Sequence, residues 1–255
     1  MIIEYKRPTT IPDALRLLAR KQPVTYPLGG GTYLNRDMDL EFAVVDLQAL
    51  GLGTISETGN MLRVGATATL QNLLDFNGLP EDLYRSVKLE ATINLRQMAT
   101  MAGTLVIADG RSPLATLMLA LDASLEILAV DKEPTHTRLG DWLLMRAKSE
   151  RGPLISRVDL PLNIKVAYES VARTPADQPI VCAAVTQLHS GRTRLALGGW
   201  GDAPILAMDG PEAEGLEVAA RNAYSHAEDQ WASAEYRREM AGVLALRCIK
   251  RIINE

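Results

Sequence analysis

The stretch Leu28-Gly29-Gly30-Gly31-Thr32-Tyr33-Leu34 follows the extended segment Val24 to Leu28 and decides how the chain is read. Glycine has no Cβ, so three in a row reach dihedrals closed to other residues and let several backbone N–H groups converge. A concave run of donors suits a phosphate or diphosphate, and Thr32 adds a hydroxyl. The same residues also suit a tight turn. The stretch matches neither of two familiar phosphate motifs. A Walker loop ends Gly-Lys-Ser/Thr, and the dinucleotide fingerprint needs a third glycine three positions on, where Leu34 stands.

Outward from the glycines, the elements are signposted by local chemistry. Thr10-Ile11-Pro12-Asp13 reads as a helix start, with Leu15, Leu18 and Ala19 as its apolar stripe. Val44 to Leu47 reads as a buried strand, Met61 to Ala66 alternates like a strand, and Thr69 to Phe76 and Glu81 to Ala91 read as helices. Thr100 to Gly110 reads as a loop. Ser112-Pro113 then opens a helix whose Leu114, Leu117, Met118 and Leu121 share one face. Leu125 to Val130 and Leu154 to Leu160 are expected strands, with a short helix over Leu139 to Arg146 between them. After Pro161 come strand-like runs at Val166 to Ala172, Cys182 to Leu188 and Arg194 to Leu197, the last two joined by a hairpin turn at His189 to Arg192. Helices over Glu212 to Ala227 and Ala234 to Ile253 close the chain, giving strands followed by helices, an α+β pattern.

Composition narrows the function classes. Of 255 residues, 47% are apolar and 23% charged, the mix of a globular chain rather than a disordered or collagen-like one. A net charge of -4 disfavours nucleic acid as a partner. Cys182 and Cys248 are too few for a zinc cluster, and His136, His189 and His226 are scattered, so no metal site is expected. The most apolar run, Leu114 to Val130, contains Asp122 and Glu126 and does not read as a membrane span. With no leader-like apolar stretch at the N-terminus, a cytoplasmic setting with two buried free thiols is expected. No pair among Asp46, Asp109, Asp177 and Glu235 is spaced for acid–base work, so no catalytic side chain is assigned.

A second segment, Asn94-Leu95-Arg96-Gln97-Met98-Ala99-Thr100-Met101-Ala102-Gly103-Thr104, again concentrates small and hydroxyl residues. It suits close backbone approach to a ligand, or a loop packed tightly on its neighbour.

The two segments, in this order, carry a family resemblance. Tyr5-Lys6-Arg7-Pro8, Val45-Asp46-Leu47, Val64-Gly65-Ala66-Thr67-Ala68-Thr69 and Ser233-Ala234-Glu235-Tyr236-Arg237-Arg238-Glu239-Met240-Ala241-Gly242-Val243-Leu244 extend it over nearly the whole chain. The chain resembles the FAD-binding (medium) subunit of the molybdenum hydroxylases, the family of the carbon monoxide dehydrogenase medium subunit and the xanthine dehydrogenase flavin domain. The resemblance implies a PCMH-type FAD-binding fold of two α/β subdomains, about 1–55 and 56–160, followed by a C-terminal α+β domain, about 161–255. It implies FAD as cofactor, with Leu28, Gly29, Gly30, Gly31, Thr32, Tyr33 and Leu34 wrapping its diphosphate. Ala99, Thr100, Ala102, Gly103 and Thr104 would face the same group from the other side, and Thr67 and Thr69 would lie near the flavin.

Three departures from the family pattern stand out. Ala102-Gly103-Thr104 replaces the common Gly-Gly-Asn. Arg111-Ser112 precedes Pro113 where relatives carry Ser-Asp, which leaves Asp109 as the nearest acid and a candidate contact. Asp177-Gln178-Pro179 lacks the aromatic residue that many relatives place after the aspartate, and Arg173 stands where a basic residue is common beside the flavin. The family further implies an oxidoreductase subunit that takes electrons from an iron–sulfur subunit, fed by a molybdopterin subunit, and passes them to an external acceptor. Two cysteines are too few for a four-cysteine cluster, so metal centres would sit on partners. The alternatives are a structural or interaction subunit on the same fold, and a stand-alone flavin oxidoreductase.

Overall fold

Residues 1–36, 40–148 and 151–254 are described in the computed structural model of the chain. Strand β1 (Ile2–Lys6), β2 (Thr25–Leu28) and β3 (Phe42–Asp46) form a parallel sheet in the order β1-β3-β2. The central strand is buried at all five positions. It therefore reads as the unbroken Phe-Ala-Val-Val run of an inner parallel strand, not as an alternation. Strands β4 (Ile55–Thr58), β5 (Met61–Gly65), β6 (Ser124–Leu128), β7 (Thr135–Arg138) and β8 (Leu154–Pro161) make a second sheet ordered β4-β5-β8-β6-β7. A third, antiparallel sheet runs β12-β11-β10-β9, from β9 (Lys165–Val171), β10 (Val181–Gln187), β11 (Thr193–Gly198) and β12 (Ile205–Gly210).

The helices are α1 (Ile11–Ala19), α2 (Leu70–Leu74), α3 (Glu81–Glu90), α4 (Ile93–Arg96), α5 (Met101–Ile107), α6 (Pro113–Ala120), α7 (Leu139–Met145), α8 (Leu216–Ala223) and α9 (Ala234–Asn254). The α+β class is as expected. The cap at Thr10 is as read: its side chain accepts from the Asp13 N–H, and Ala14, Leu15 and Leu18 are buried. The hairpin after β10 also forms, with Leu188 N–H donating to Arg192 O at 2.9 Å. The expected loop from Thr100 to Gly110 is instead helical over α5. Met101, Ala102 and Leu105 are all buried there, and burying that apolar face favours the helix over a solvated loop. Among the described residues, no helix is long and apolar enough to cross a membrane.

The chain divides into two compact units built from interleaved segments. The first joins Met1–Asn77, Thr92–Ile107 and Ser124–Asp159, and the second joins Gly78–Ala91, Ala108–Ala123 and Leu160–Glu255. In the first, Ala14, Leu15 and Leu18 of α1 pack with Val45, Leu47 and Leu154. In the second, α8 and α9 cover the third sheet, and Val181, Leu195, Leu197, Leu244, Cys248 and Ile252 belong to one core. Cys182 and Cys248 are buried free thiols, as the sequence suggested, and desolvation pushes Cys182 up to about 11.

Helix α6 organises the second unit. The sequence offers an apolar stripe on one face, yet every residue from Pro113 to Ala120 is buried. A helix with no solvent face must have its end groups satisfied by protein. Ser112 Oγ accepts from Ala115 N–H at 3.0 Å, and Glu90 Oε2 accepts from Ser112 Oγ at 2.8 Å and Leu114 N–H at 3.0 Å. At the other end, Arg194 donates from Nε to Ala120 O and from Nη2 to Leu119 O, both at 3.1 Å. A carboxyl group at the N-terminus and a guanidinium at the C-terminus both oppose the helix dipole.

Although Glu90 is only half-buried as a residue, its carboxyl group is desolvated, which pushes its pKa up from 4.5 to about 7. The folded chain thus holds this proton more tightly than the unfolded one. The resulting stabilisation is fully present below about pH 4.5 and is lost as pH rises through about 7. Glu90→Gln keeps an acceptor for Ser112 and Leu114 without the charge. It is expected to exceed the parent in stability by on the order of 2 kcal/mol at about pH 8, and the gap narrows toward pH 5. Urea unfolding at the two pH values checks this, and a gap independent of pH would contradict it.

Candidate functional site

The first unit brings the glycine stretch and the Ala99 to Thr104 segment together, and each contact has a local cause. Leu47 N–H donates to Leu28 O at 3.1 Å, which ends the β2–β3 ladder just before the glycines. A Cβ on Gly30 would stand 1.5 Å from Met98 O, so backbone meets backbone at a point only glycine tolerates. Gly31 has φ +70°, the left-handed conformation. Among the described residues, the main-chain N–H groups of Gly29 to Leu34 donate to no protein acceptor. The carbonyls of the same loop are engaged, Gly31 O by Asn35 N–H and Tyr33 O by Arg36 N–H, each at 3.2 Å. A run of unclaimed donors beside claimed acceptors is what an anion needs.

The facing wall is knitted by main-chain bonds. Leu70 N–H donates to Ala99 O at 2.8 Å, Met101 N–H to Ala68 O at 2.8 Å and Ala102 N–H to Ala66 O at 3.2 Å. Thr69 and Thr100 thereby face each other across an antiparallel bridge. Thr69 also caps α2 through a reciprocal bond pair with Asn72. Thr100 Oγ1 accepts from Gly103 N–H at 3.3 Å, leaving its hydroxyl proton unclaimed.

Two cavities adjoin at this seam. One, of 560 Å³, is the more polar of the two and is lined by Gly29, Gly30, Thr67, Thr69, Thr100 and neighbours, with no charged side chain. The other, of 620 Å³, shares Gly29, Gly30, Thr67 and Thr100 but is walled by Leu18, Val106, Ile107, Trp142, Leu154 and Ile155, with Arg151 the cation on its lining. Each volume is in the range of ordinary small-molecule sites. A dinucleotide cofactor matches such a pair: polar diphosphate at the shared loops, planar ring system against apolar wall. The unclaimed N–H groups and the neutral, hydroxyl-rich lining suit FAD.

Gly31, Thr32, Tyr33, Leu34, Ala102 and Gly103 join the four shared residues on these linings, whereas Leu28, Ala99 and Thr104 do not. Thr104 is buried on α5. Asp109 and Arg173 belong to the second unit. There Asp109 Oδ1 accepts from Arg111 N–H at 2.8 Å, and the Arg173 guanidinium lies 5.6 Å from the Trp231 ring centre.

Sequence reasoning missed Gln48, Gly51, Gly53 and Thr54 on the polar side. The Gly51-Leu52-Gly53 spacing was the available signal, and Asp46 anchors that segment. Asp46 is 4% exposed, takes the Gln48 N–H at 2.9 Å, and accepts a short hydrogen bond from Tyr5 OH. The apolar walls left no signal, because Leu18, Trp142 and Ile155 are distant in sequence and indistinguishable from ordinary core.

Comparison with known proteins agrees with this geometry. The family model described as the FAD binding domain in molybdopterin dehydrogenase matches residues 1–163. An uncharacterised Escherichia coli protein is 28% identical over 261 residues, 96% of this chain and 94% of that protein. The carbon monoxide dehydrogenase medium chain of Afipia carboxidovorans is 27% identical over 282 residues, 97% of this chain and 96% of that one. The solved structure of reconstituted CO dehydrogenase from Oligotropha carboxidovorans matches with a TM-score of 0.81 at 25% identity, over 98% of this chain and 96% of that chain.

Proposed function

The chain belongs to the family of FAD-binding domains of molybdopterin dehydrogenases, and from that premise we propose that it is the electron-transfer flavin subunit of a molybdenum-hydroxylase-type complex. The observation that carries the reading is the run of unclaimed N–H groups from Gly29 to Leu34, beside two adjoining cavities of which one is the more polar and the other apolar-walled. Bound FAD supplies one- and two-electron redox chemistry. The chain's own residues bind, orient and exclude water. Amides of residues 29–34 hold the diphosphate, the Thr67 and Thr100 hydroxyls supplement them, and the apolar wall keeps water from a planar ring. Because these donors are neutral dipoles, no lysine is needed.

Reducing equivalents would arrive from an iron–sulfur subunit served by a molybdopterin subunit, and leave to an external acceptor. That the similar Afipia protein is the medium chain of a carbon monoxide dehydrogenase supports this arrangement. The purified chain is expected to show a flavin visible spectrum and to release FAD on denaturation. Reduction and reoxidation of the bound flavin separate an electron carrier from a scaffold. A colourless chain that fails to take up added FAD would overturn the proposal.

A further inference from the structure

Eight asparagines occur in the chain, and Asn77 alone is followed by glycine. Each of the others precedes a residue whose side chain crowds its own main-chain nitrogen. Two aspartates, Asp109 and Asp209, also precede glycine. The nitrogen of a glycine can attack the side-chain carbonyl of the residue before it, because no Cβ hinders the approach. The structure treats these three pairs differently.

At Asp109 the nucleophile is buried and engaged. Gly110 N–H donates to Gly201 O at 2.9 Å, and Asp109 Oδ1 accepts from Arg111 N–H at 2.8 Å. A Cβ on Gly110 would lie 1.9 Å from Trp200 O, so the backbone has no room to swing. At Asp209, Arg192 donates to both carboxylate oxygens, at 2.8 and 2.7 Å, and Arg194 pairs with one of them. The Arg192 guanidinium holds this carboxyl below its ordinary range, and an ionised carboxylate is a poor electrophile. Gly210 is itself paired with Thr193 in the β11–β12 ladder.

Asn77 has none of this protection. It sits with Gly78 in the turn between α2 and α3, and both residues are exposed. Neither the Asn77 carboxamide nor the Gly78 N–H has a hydrogen-bond partner among the described residues. Nothing stands within 4 Å of where a Gly78 Cβ would be. Asn72, exposed on the neighbouring helix, is instead held in place, with its Oδ1 accepting from Thr69 N–H at 3.0 Å.

We propose that Asn77 is a site of spontaneous covalent modification, the deamidation of its carboxamide by the Gly78 nitrogen. The bond from Gly78 N to Asn77 Cγ forms, the Cγ–Nδ2 bond breaks, and ammonia leaves with the amide proton, closing a cyclic succinimide. Water then adds to one of the two ring carbonyls. Addition at Cγ opens the ring to aspartate. Addition at the main-chain carbon opens it to isoaspartate, whose backbone runs through the former side chain. No electrons are transferred, and the only co-reactant is solvent water. Either product adds one negative charge to the formal net charge of -4. Isoaspartate also adds a carbon to the backbone at the point where the chain passes from the first unit to the second. The site is independent of the flavin assignment.

The test is ageing of the purified full chain in warm, mildly alkaline buffer, both folded and in urea, followed by tryptic mapping. The peptide from Val64 to Arg85 carries Asn72 and Asn77 together, so fragmentation compares them directly. The folded chain is expected to gain about 1 Da at Asn77 and not at Asn72. The gain is expected to quicken as pH rises, because the attacking amide must lose its proton. Isoaspartate, read with an isoaspartate-specific methyltransferase, is expected at Asn77 alone in the folded chain, and at Asp109 and Asp209 as well in urea. Asn77→Gln is expected to abolish the gain with an unchanged unfolding midpoint, since the longer side chain closes its ring far more slowly. An Asn77 that deamidates in urea but stays intact in the folded chain would overturn the proposal, because the turn would then block the attack. So would isoaspartate forming in the folded chain at Asp109 or Asp209 as fast as at Asn77.

Discussion

Gly30→Ala is expected to strip the protein of FAD. The added Cβ would lie 1.5 Å from Met98 O and 2.4 Å from Met98 C, both main-chain atoms that no rotamer change can move aside. Relief requires the 98–100 backbone to retreat, and that backbone carries the Thr100 wall shared by both cavities. Overpacking of this kind costs about 3 kcal/mol or more, which is roughly a hundred-fold or greater loss in cofactor affinity. Gly31→Ala is the informative contrast. Its nearest foreign atom is Leu28 Cδ1 at 3.4 Å, so the penalty is the left-handed φ of +70° alone, about 1–2 kcal/mol. Flavin fluorescence titration of the two apoproteins ranks them. Parent-like FAD affinity in Gly30→Ala would show that the loops need not touch.

Arg194→Ala is expected to be the most destabilising change in the second unit. The side chain is 6% exposed, donates to the carbonyls of Leu119 and Ala120, and pairs with Asp122 at 3.2 Å and with Asp209. Its removal leaves the C-terminus of a wholly buried helix short of donors and leaves acids without their inner partner. Breaking a buried pair by deleting one member costs about 3–5 kcal/mol, which corresponds to a fall in Tm of roughly 10 °C. Arg192, whose side chain is 44% exposed, pairs with the same Asp209. Its alanine variant is expected to lose no more than about 1 kcal/mol, because solvent screens an exposed pair. Equal losses in the two variants, read by thermal unfolding, would contradict the capping role.

What the sequence alone made legible was local. Thr10 before Pro12, and Ser112 before Pro113, announced helix starts because a hydroxyl acceptor and a missing N–H act within one turn. The glycine stretch announced a close approach because only glycine lacks the atom that forbids one. The family resemblance, six motifs in order, extended that local reading to a fold and a cofactor. Other features needed partners far along the chain. Segment 100–110 read as a loop, since the helical signal of its first part lies in what Met101 and Leu105 are buried against. Helix α6 read as amphipathic, since nothing local shows that its outer face is covered too. Arg111 and Gln178 looked like separate departures until the fold placed the Arg111 guanidinium against the carbonyls of Gln178 and Pro179.

The sequence by itself determined where the backbone turns, which helices are capped, and where glycine permits a close backbone approach, because those outcomes depend on interactions spanning a few residues. The tertiary structure decided which donors stay unclaimed, which apolar segments wall a cavity, and which charges find a partner. Each of these is a balance between a group and everything packed around it, and that surrounding set exists only once distant segments have met.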